Sequence, residues 1–122
     1  MENQPFARMR GRLGEVRAEQ LLIEKGYAIL ARNAKFPGAE IDLIARDGEV
    51  IVFVEVKLRT RGGMTGREAI TPAKQKRICK GAVHYLMRNS LMNRQARFDV
   101  IEIQGERVTH IVNAFPYQGP VF

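Results

Sequence analysis

The stretch GAEIDLIARDGEVIVFVEVKLR, residues 38–59, decides the fold of this chain. It contains two apolar runs, and the second is dominated by Val, Ile and Phe, which suit a pleated and buried surface. Between the runs stands Asp47-Gly48, a dipeptide typical of two-residue hairpin turns. The stretch therefore predicts a β-hairpin at the centre of a sheet, with strands over residues 39–45 and 49–58.

The predicted register gathers charged side chains on one face of this hairpin. A turn at Asp47-Gly48 would set Asp42 opposite Phe53. It would also set Glu40 opposite Glu55, and alternation along the strands would bring Lys57 to the same face. Charged groups on a central hairpin are costly unless they pair, bind a metal or take part in catalysis. Carboxylates about 7–8 Å apart at Cα can reach inward and hold one divalent cation.

The composition favours a polyanionic partner. The chain has 122 residues, enough for one domain, 1–122, with a single core. Its net charge is +7, which points to nucleic acid above all, although a merely soluble basic protein shares this property. A single cysteine, Cys79, excludes an internal disulfide and a cysteine-rich zinc site. No apolar run reaches membrane-spanning length and no signal peptide is visible, so we expect a cytoplasmic protein without membrane contact.

The remaining pattern predicts a helix, three strands, a second helix and two strands. Residues 1–8 are expected to be flexible. Thr71 and Pro72 suit the N-cap and first position of the second helix. That helix would cross over between parallel strands, giving a mixed α/β sheet flanked by helices. The elements expected outside the hairpin are a helix over 13–25, a strand over 27–33, a helix over 72–89 and strands over 97–103 and 108–114.

Two glutamates of the first helix stand out. Glu15 and Glu19 fall on its apolar side, which is unexpected for an ordinary surface helix. They could pair with arginines near the helix start, or they could serve a site on the sheet. The two histidines carry less information: His84 is expected to be a packing residue, and no role is assigned to His110.

Basic residues around the hairpin suggest a surface that holds phosphates. Residues 60–70 read as a mobile loop, and forked hydrogen bonds from its arginines would suit phosphate oxygens. The second helix begins with a basic half and a positive dipole end. A solvated loop with incidental arginines is the alternative. The candidate nucleic-acid-binding residues are Arg59, Arg61, Arg67, Lys74, Lys76 and Arg77.

The motifs of the hairpin resemble a known enzyme signature. Asp42, followed after twelve residues by Glu55-Val56-Lys57, resembles the PD-(D/E)XK nuclease motif. The segments EIDL (40–43) and FVEVK (53–57) are similar to those of the small bacterial YraN-like family, which is related to Holliday-junction resolvases. Ile41 replaces the proline of the signature, as that family tolerates. Further matching positions spread the resemblance over nearly the whole chain: Gly14-Glu15, Gly26-Tyr27, Arg32-Asn33, Lys74 and Arg77.

The resemblance implies a restriction-endonuclease-like fold and a metal-dependent endonuclease that hydrolyses DNA, with branched or recombination intermediates as candidate substrates. It implies Mg²⁺ as the cofactor, with Mn²⁺ able to substitute, and it makes a homodimer a candidate assembly. Lys57 would orient the attacking water. Glu40 and Glu19 would contact the metal ligands without binding the metal themselves, although Glu40 could instead pair with Lys57. The implied metal ligands are Asp42, Glu55, Glu15 and the carbonyl of Val56.

Two other functions fit the same residues. The chain could be a non-catalytic nucleic-acid-binding module whose acidic site is vestigial, with Lys57 merely neutralising Glu40 and Glu55. It could also be an interaction protein whose positive face binds an acidic protein. Metal binding separates the first from a nuclease, and the salt dependence of nucleic-acid binding tests the second.

Overall fold

The computed structural model describes residues 4–59 and 70–119, with side chains from residue 12 onward. Its elements follow the predicted order of helix, three strands, helix and two strands. Most of the expected boundaries are met within a few residues. The elements are α1 (Gln4–Glu24), β1 (Ala28–Phe36), β2 (Ala39–Asp47), β3 (Val50–Leu58), α2 (Pro72–Arg88), β4 (Ala96–Gln104) and β5 (Arg107–Phe115).

The strands form one five-stranded sheet in the order β1-β2-β3-β4-β5. β3 and β4 are parallel, while the other neighbouring pairs are antiparallel. The parallel pair is joined through α2, as the predicted crossover requires. A mixed sheet with this order of elements confirms the predicted α/β class and agrees with a restriction-endonuclease-like fold.

The helices cover opposite faces of the sheet. Ala18 and Leu22 of α1 pack with one set of buried strand residues, which includes Val54. Ile78 of α2 packs with another set, which includes Phe53. Because Phe53 and Val54 are neighbours on β3, they point to opposite sides of the sheet. The structure therefore has two cores, one beneath each helix.

The first helix differs from its prediction. It begins at Gln4, so residues 4–8, which were expected to be flexible, are helical. The buried side of α1 follows Gly14, Ala18 and Leu22, while Val16 is exposed. Gly14 allows this close approach, since a Cβ added there would lie 2.7 Å from Cδ2 of Leu58.

The second helix begins as predicted. Thr71 is extended and its Oγ1 accepts a hydrogen bond from the backbone N–H of Lys74 at 3.2 Å, which confirms the N-cap. Cys79 is buried, and its thiol accepts the backbone N–H of Gln118 from the C-terminal tail at 3.2 Å. His84 stacks on Phe36 with ring centroids 6.3 Å apart, in agreement with a packing role.

The predicted register of the β2–β3 hairpin was wrong by two residues. Ile44, not Asp42, pairs with Phe53, and the turn is formed by Gly48 and Glu49. Gly48 has φ 61°, whereas Glu49 does not have a positive φ. Positive φ at the first turn position alone is the pattern of a type II′ turn rather than type I′. A shift of two residues does not by itself move a side chain to the other face of the sheet, because the alternation has period two.

Glu40 does not share the face predicted for it. Ile41 and Ile44 both belong to the core beneath α2, although they are three residues apart. The alternation along β2 is therefore interrupted between them, next to the positive-φ residue Asn33 of β1. Glu40, which precedes Ile41, consequently faces α1.

Two of the earlier expectations lie outside the described residues. They are the phosphate-holding roles of Arg61 and Arg67, together with the loop that contains them. Among the helices that the structure describes, none is long and apolar enough to cross a membrane.

Candidate active site

A cavity of about 310 Å³ opens where β2 and β3 meet the beginning of α2. The cavity brings together the acids and the lysine of the hairpin, one acid of α1 and one lysine of α2. The hairpin supplies Asp42, Glu55 and Lys57, α1 supplies Glu15 and α2 supplies Lys74. Its lining residues are Glu15, Asp42, Glu55, Val56, Lys57, Leu58 and Lys74.

Asp42 is an electrostatically strained group. Burial raises the pKa of its carboxyl to about 7, and the charge of Glu55 adds to the rise. The backbone N–H of Val56 donates to Asp42 Oδ2 at 2.8 Å and works in the opposite direction. Glu15 raises this pKa further, and Lys74 lowers it. Asp42 thus sits near its titration midpoint at neutral pH, in a place where a cation would stabilise its charged form.

Glu55 is held by a cation from another element. Its side chain is 6% exposed, and its Oε2 lies 2.6 Å from Nζ of Lys74. Lys74 was predicted to belong to a phosphate-holding rim, but its recorded partner is Glu55. The predicted alternative, in which Lys57 neutralises Glu55, is therefore not the arrangement found. The Lys74 ammonium therefore lies beside Glu55, where a metal ion would compete with it for the carboxylate.

The oxygen donors around this cavity suit a hard divalent cation. Asp42 and Glu55 provide carboxylates, and the Lys74 ammonium shows that Glu55 accepts a cation there. No group of three described His, Cys, Asp or Glu side chains is arranged to hold a metal ion. Mg²⁺ usually binds through one or two carboxylates and completes its shell with waters and substrate phosphates. The residues present therefore fit Mg²⁺ better than an ion that needs an all-protein cage.

Glu40 and Glu19 lie beside a second, larger cavity of about 880 Å³. Glu19 accepts two hydrogen bonds from Arg32 at 2.8 and 2.6 Å, and these bonds lower the pKa of Glu19. This is the arginine pairing that the sequence left open, but Arg32 belongs to β1 rather than to the start of the helix. Glu15 lines both cavities and so stands between them.

The described basic residues are not arranged as a single rim. Arg59 is only 10% exposed and its Nε lies 3.1 Å from Oε2 of Glu102. Lys76 lines a separate cavity of about 650 Å³ together with Lys80. Arg77 is exposed on α2. Of this described group, only Lys74 lines the acidic cavity.

Sequence reasoning missed a second acidic centre on the sheet. Asp99 is fully buried in β4, where it receives hydrogen bonds from Arg97 Nε at 3.0 Å and from the backbone N–H of Asn113 at 2.9 Å. His110 Nε2 lies 2.8 Å from Asp99 Oδ2, and the other ring nitrogen lies 2.8 Å from Lys25 Nζ. The sequence assigned no role to His110, whereas in the structure His110 is a partner of the buried Asp99. The signal was an aspartate in the middle of an apolar strand, since a buried charge must have partners.

Comparisons with known proteins agree with the motif resemblance. Residues 14–103 match the model of "Uncharacterised protein family UPF0102". A UPF0102 protein of Alkalilimnicola ehrlichii is 46% identical over 111 residues, which cover 89% of this chain and 88% of that protein. Another, from Desulforapulum autotrophicum, is 43% identical over 122 residues, covering 94% and 98%. A third, from Symbiobacterium thermophilum, is 48% identical over 101 residues, covering 81% and 85%. The predicted relationship is confirmed: this chain belongs to the UPF0102, or YraN-like, family.

Proposed function

We propose that this protein is a metal-dependent endonuclease that hydrolyses phosphodiester bonds in DNA. The observation that carries the proposal is the meeting of Asp42, Glu55 and Lys57 at one cavity. Carboxylates beside a lysine on a central hairpin supply what phosphodiester hydrolysis needs from a protein. The net charge of +7 supports a polyanionic substrate.

Asp42 and Glu55 would hold Mg²⁺, with Mn²⁺ as a substitute, and Glu15 and the Val56 carbonyl would contribute to its shell. When bound, the metal would polarise the scissile phosphate and favour ionisation of a water molecule. Binding of the cation would favour the charged form of Asp42, whose pKa burial otherwise raises to about 7.

Lys57 would act on the reacting atoms rather than on the metal. Its ammonium carries positive charge at the cavity that also holds the two carboxylates. From there it would orient the attacking water and stabilise the charge that develops on the phosphoryl oxygens. An interaction made chiefly in the transition state affects turnover more than binding.

The substrate class follows from the family resemblance rather than from a base-reading motif. We propose DNA, with branched or recombination intermediates as the preferred structures and a homodimer as the unit that would cut paired strands. The experiment that tests the proposal is a cleavage assay over linear duplex, flap, four-way-junction, single-stranded DNA and RNA substrates, with Mg²⁺ or Mn²⁺.

We expect cleavage by the wild type and its loss in Asp42→Asn, Glu55→Gln and Lys57→Ala. The two amide variants should lose metal affinity because they lose a ligand charge. Lys57→Ala should bind metal normally yet fail to turn over. Glu106→Gln is a matched control, since Glu106 is an exposed acid in the turn between β4 and β5.

Wild-type protein that binds these nucleic acids but cuts none of them with either metal would contradict the proposal. If that protein also bound no Mg²⁺ in calorimetry, the acidic cavity would be vestigial and the protein a nucleic-acid-binding module. Binding that did not weaken steeply with salt would argue against phosphate contacts altogether.

A further inference from the structure

One cation of the acidic cavity belongs to the protein itself. Lys74 Nζ lies 2.6 Å from Oε2 of Glu55, a distance slightly shorter than that of an ordinary charge-assisted hydrogen bond. Lys74 also lowers the pKa of Asp42 through its charge. Its ammonium therefore acts on both carboxylates that the proposed metal would use.

The two partners of this ion pair differ in freedom. Glu55 is 6% exposed on a central strand, whereas the side chain of Lys74 is 36% exposed. The backbone of Lys74 is fixed, because its N–H donates to the N-cap Thr71 at 3.2 Å. Its charge stands at the end of a four-carbon chain with several rotatable bonds. Lys74 can thus leave Glu55 by changing side-chain rotamers, without any movement of α2.

We propose that Lys74 is an exchangeable counter-ion and positioning residue of this site. In the metal-free protein its ammonium neutralises Glu55. When a divalent cation takes its place, Lys74 is released toward the substrate, where its charge holds the phosphate backbone. This inference rests on the proposed metal-dependent activity.

The exchange has a physical reason. Two carboxylates that line one cavity repel each other, and a positive charge beside them stabilises the metal-free site. A divalent cation brings more charge to the same oxygens and makes the ammonium redundant. A lysine ammonium is strongly hydrated and binds phosphate as a point charge. After Lys74 leaves the Glu55 carboxylate, its ammonium can therefore interact with water or with a phosphate group instead.

The first measurement is metal affinity without nucleic acid. Lys74→Met keeps an unbranched side chain that is one atom shorter and removes the competing charge. We expect it to bind Mg²⁺ about tenfold more tightly than the wild type in calorimetry, because nearby unit charges interact strongly at a partly buried site. Lys80→Met is the matched control, since Lys80 is exposed on the same helix and lines a different cavity. It should change the affinity less than twofold.

The second measurement reports release of Lys74 directly. Reductive methylation of lysines, read by mass spectrometry, should modify Lys74 several-fold faster after Mg²⁺ is added to the wild type. In Glu55→Gln the ammonium has lost its partner, so modification should be fast with or without Mg²⁺. Lys80 should react at the same rate in every case.

The third measurement tests where Lys74 goes. In the Lys57→Ala background, which should bind metal without turnover, adding Lys74→Met should weaken DNA binding several-fold in the presence of Mg²⁺. The same change should tighten Mg²⁺ binding. A variant that merely disturbed the fold would weaken both, so the opposite signs exclude a purely structural role.

The outcomes separate this inference from the function on which it rests. If the wild type binds Mg²⁺ and cleaves DNA, but Lys74→Met leaves metal affinity unchanged and Lys74 methylation does not respond to Mg²⁺, the exchange is wrong and the nuclease stands. If neither the wild type nor Lys74→Met binds Mg²⁺, the metal site itself is wrong, and both proposals fall together.

Discussion

Two aspartates on the strands that flank β3 provide an instructive contrast. Asp99 on β4 is fully buried, and hydrogen bonds from His110, the Asn113 backbone and Arg97 surround it. Burial opposes its charge, but these bonds outweigh burial and hold its pKa below the ordinary value. Asp42 on β2 is partly buried and has one backbone donor, and its pKa rises to about 7.

The two aspartates differ in the hydrogen-bond partners that surround their carboxylates. Around Asp99 the fold supplies every partner, including the N–H of Asn113, whose positive φ accompanies a register shift between β4 and β5. Around Asp42 the part of the chain that the structure describes supplies fewer donors, and it places Glu55 nearby. A buried acid whose partners are all present stabilises the protein, whereas one that lacks them is available for a ligand.

The largest expected effect is on stability at Asp99. Asp99→Asn removes the negative charge of a buried network and replaces one of its two acceptor oxygens with an NH2 donor, so the hydrogen bonds from Arg97, His110 and the Asn113 backbone cannot all be kept. We expect the free energy of unfolding at pH 7 to fall by about 3–5 kcal/mol, as when one partner of a buried ion pair is removed. Because the folded-state pKa of Asp99 is lowered, its contribution is present above the unfolded pKa and is lost as pH falls through the folded value. Urea denaturation at pH 7 and at about pH 2.5, which is below the ordinary aspartate pKa, should therefore show a smaller cost of the substitution at the lower pH.

A matched control for that variant is Asp47→Asn. Asp47 also pairs with Arg97, at 3.2 Å, but its side chain is 46% exposed. Asp47→Asn should lower the free energy of unfolding by less than about 1 kcal/mol, as is usual for surface ion pairs. Equal costs at Asp47 and Asp99 would contradict the claim that burial with full hydrogen bonding distinguishes the second centre.

Substitution of Asp42, in contrast to that of Asp99, is expected to increase the free energy of unfolding. Because the folded-state pKa of Asp42 is raised to about 7, the metal-free protein loses stability as pH rises from the ordinary aspartate pKa to about 7. The stabilising contribution of Asp42 is present below its unfolded pKa and declines as pH rises through the folded value. Asp42→Asn should therefore raise the free energy of unfolding at pH 8 by about 1–2 kcal/mol, after discounting for partial exposure. The gain should vanish near pH 4, and a loss of stability at pH 8 in chelator-treated protein would refute it.

The smallest expected effect concerns metal affinity and pH. A carboxylate ligand must be deprotonated to bind, so protons compete with Mg²⁺ below the pKa of Asp42. With that pKa at about 7, the Mg²⁺ affinity of the wild type should rise with pH and level off above neutrality. Between pH 5 and pH 6 the rise should be about tenfold, the effect of one proton displaced per metal ion. Calorimetry at several pH values measures this, and an affinity that stays flat from pH 5.5 to 8 would show that Asp42 is not the ligand that titrates.

Much of this architecture could be predicted from the sequence because local signals agreed with one another. Thr71 and Pro72 fixed the beginning of α2, and the apolar runs predicted every strand. The order of elements then implied the parallel β3–β4 pair. These are properties of short segments, and tertiary packing did not override them.

The errors arose where a side chain depends on distant residues. The hairpin register turned on whether Gly48 occupies the first or the second turn position. The face of Glu40 depended on an interruption of the strand alternation, which the residue pattern of β2 does not reveal. The ion pair of Lys74 with Glu55 and the partners of Asp99 join segments that are far apart in the chain, so spacing alone could not predict them.

The parallel pairing of β3 with β4 has a consequence for the order in which this molecule assembles. The β2–β3 hairpin closes over a two-residue turn, but Ile51 of β3 pairs with Ala96 of β4 only after the whole crossover has been traversed. Closing a longer loop costs more chain entropy, so the local hairpin should form before the parallel pair. Asp42 and Glu55 would then come together early in folding, while Lys74 arrives with the crossover. Newly made chains would thus pass through a stage at which the two acids face each other without their lysine, and dissolved divalent cations could assist folding at that stage.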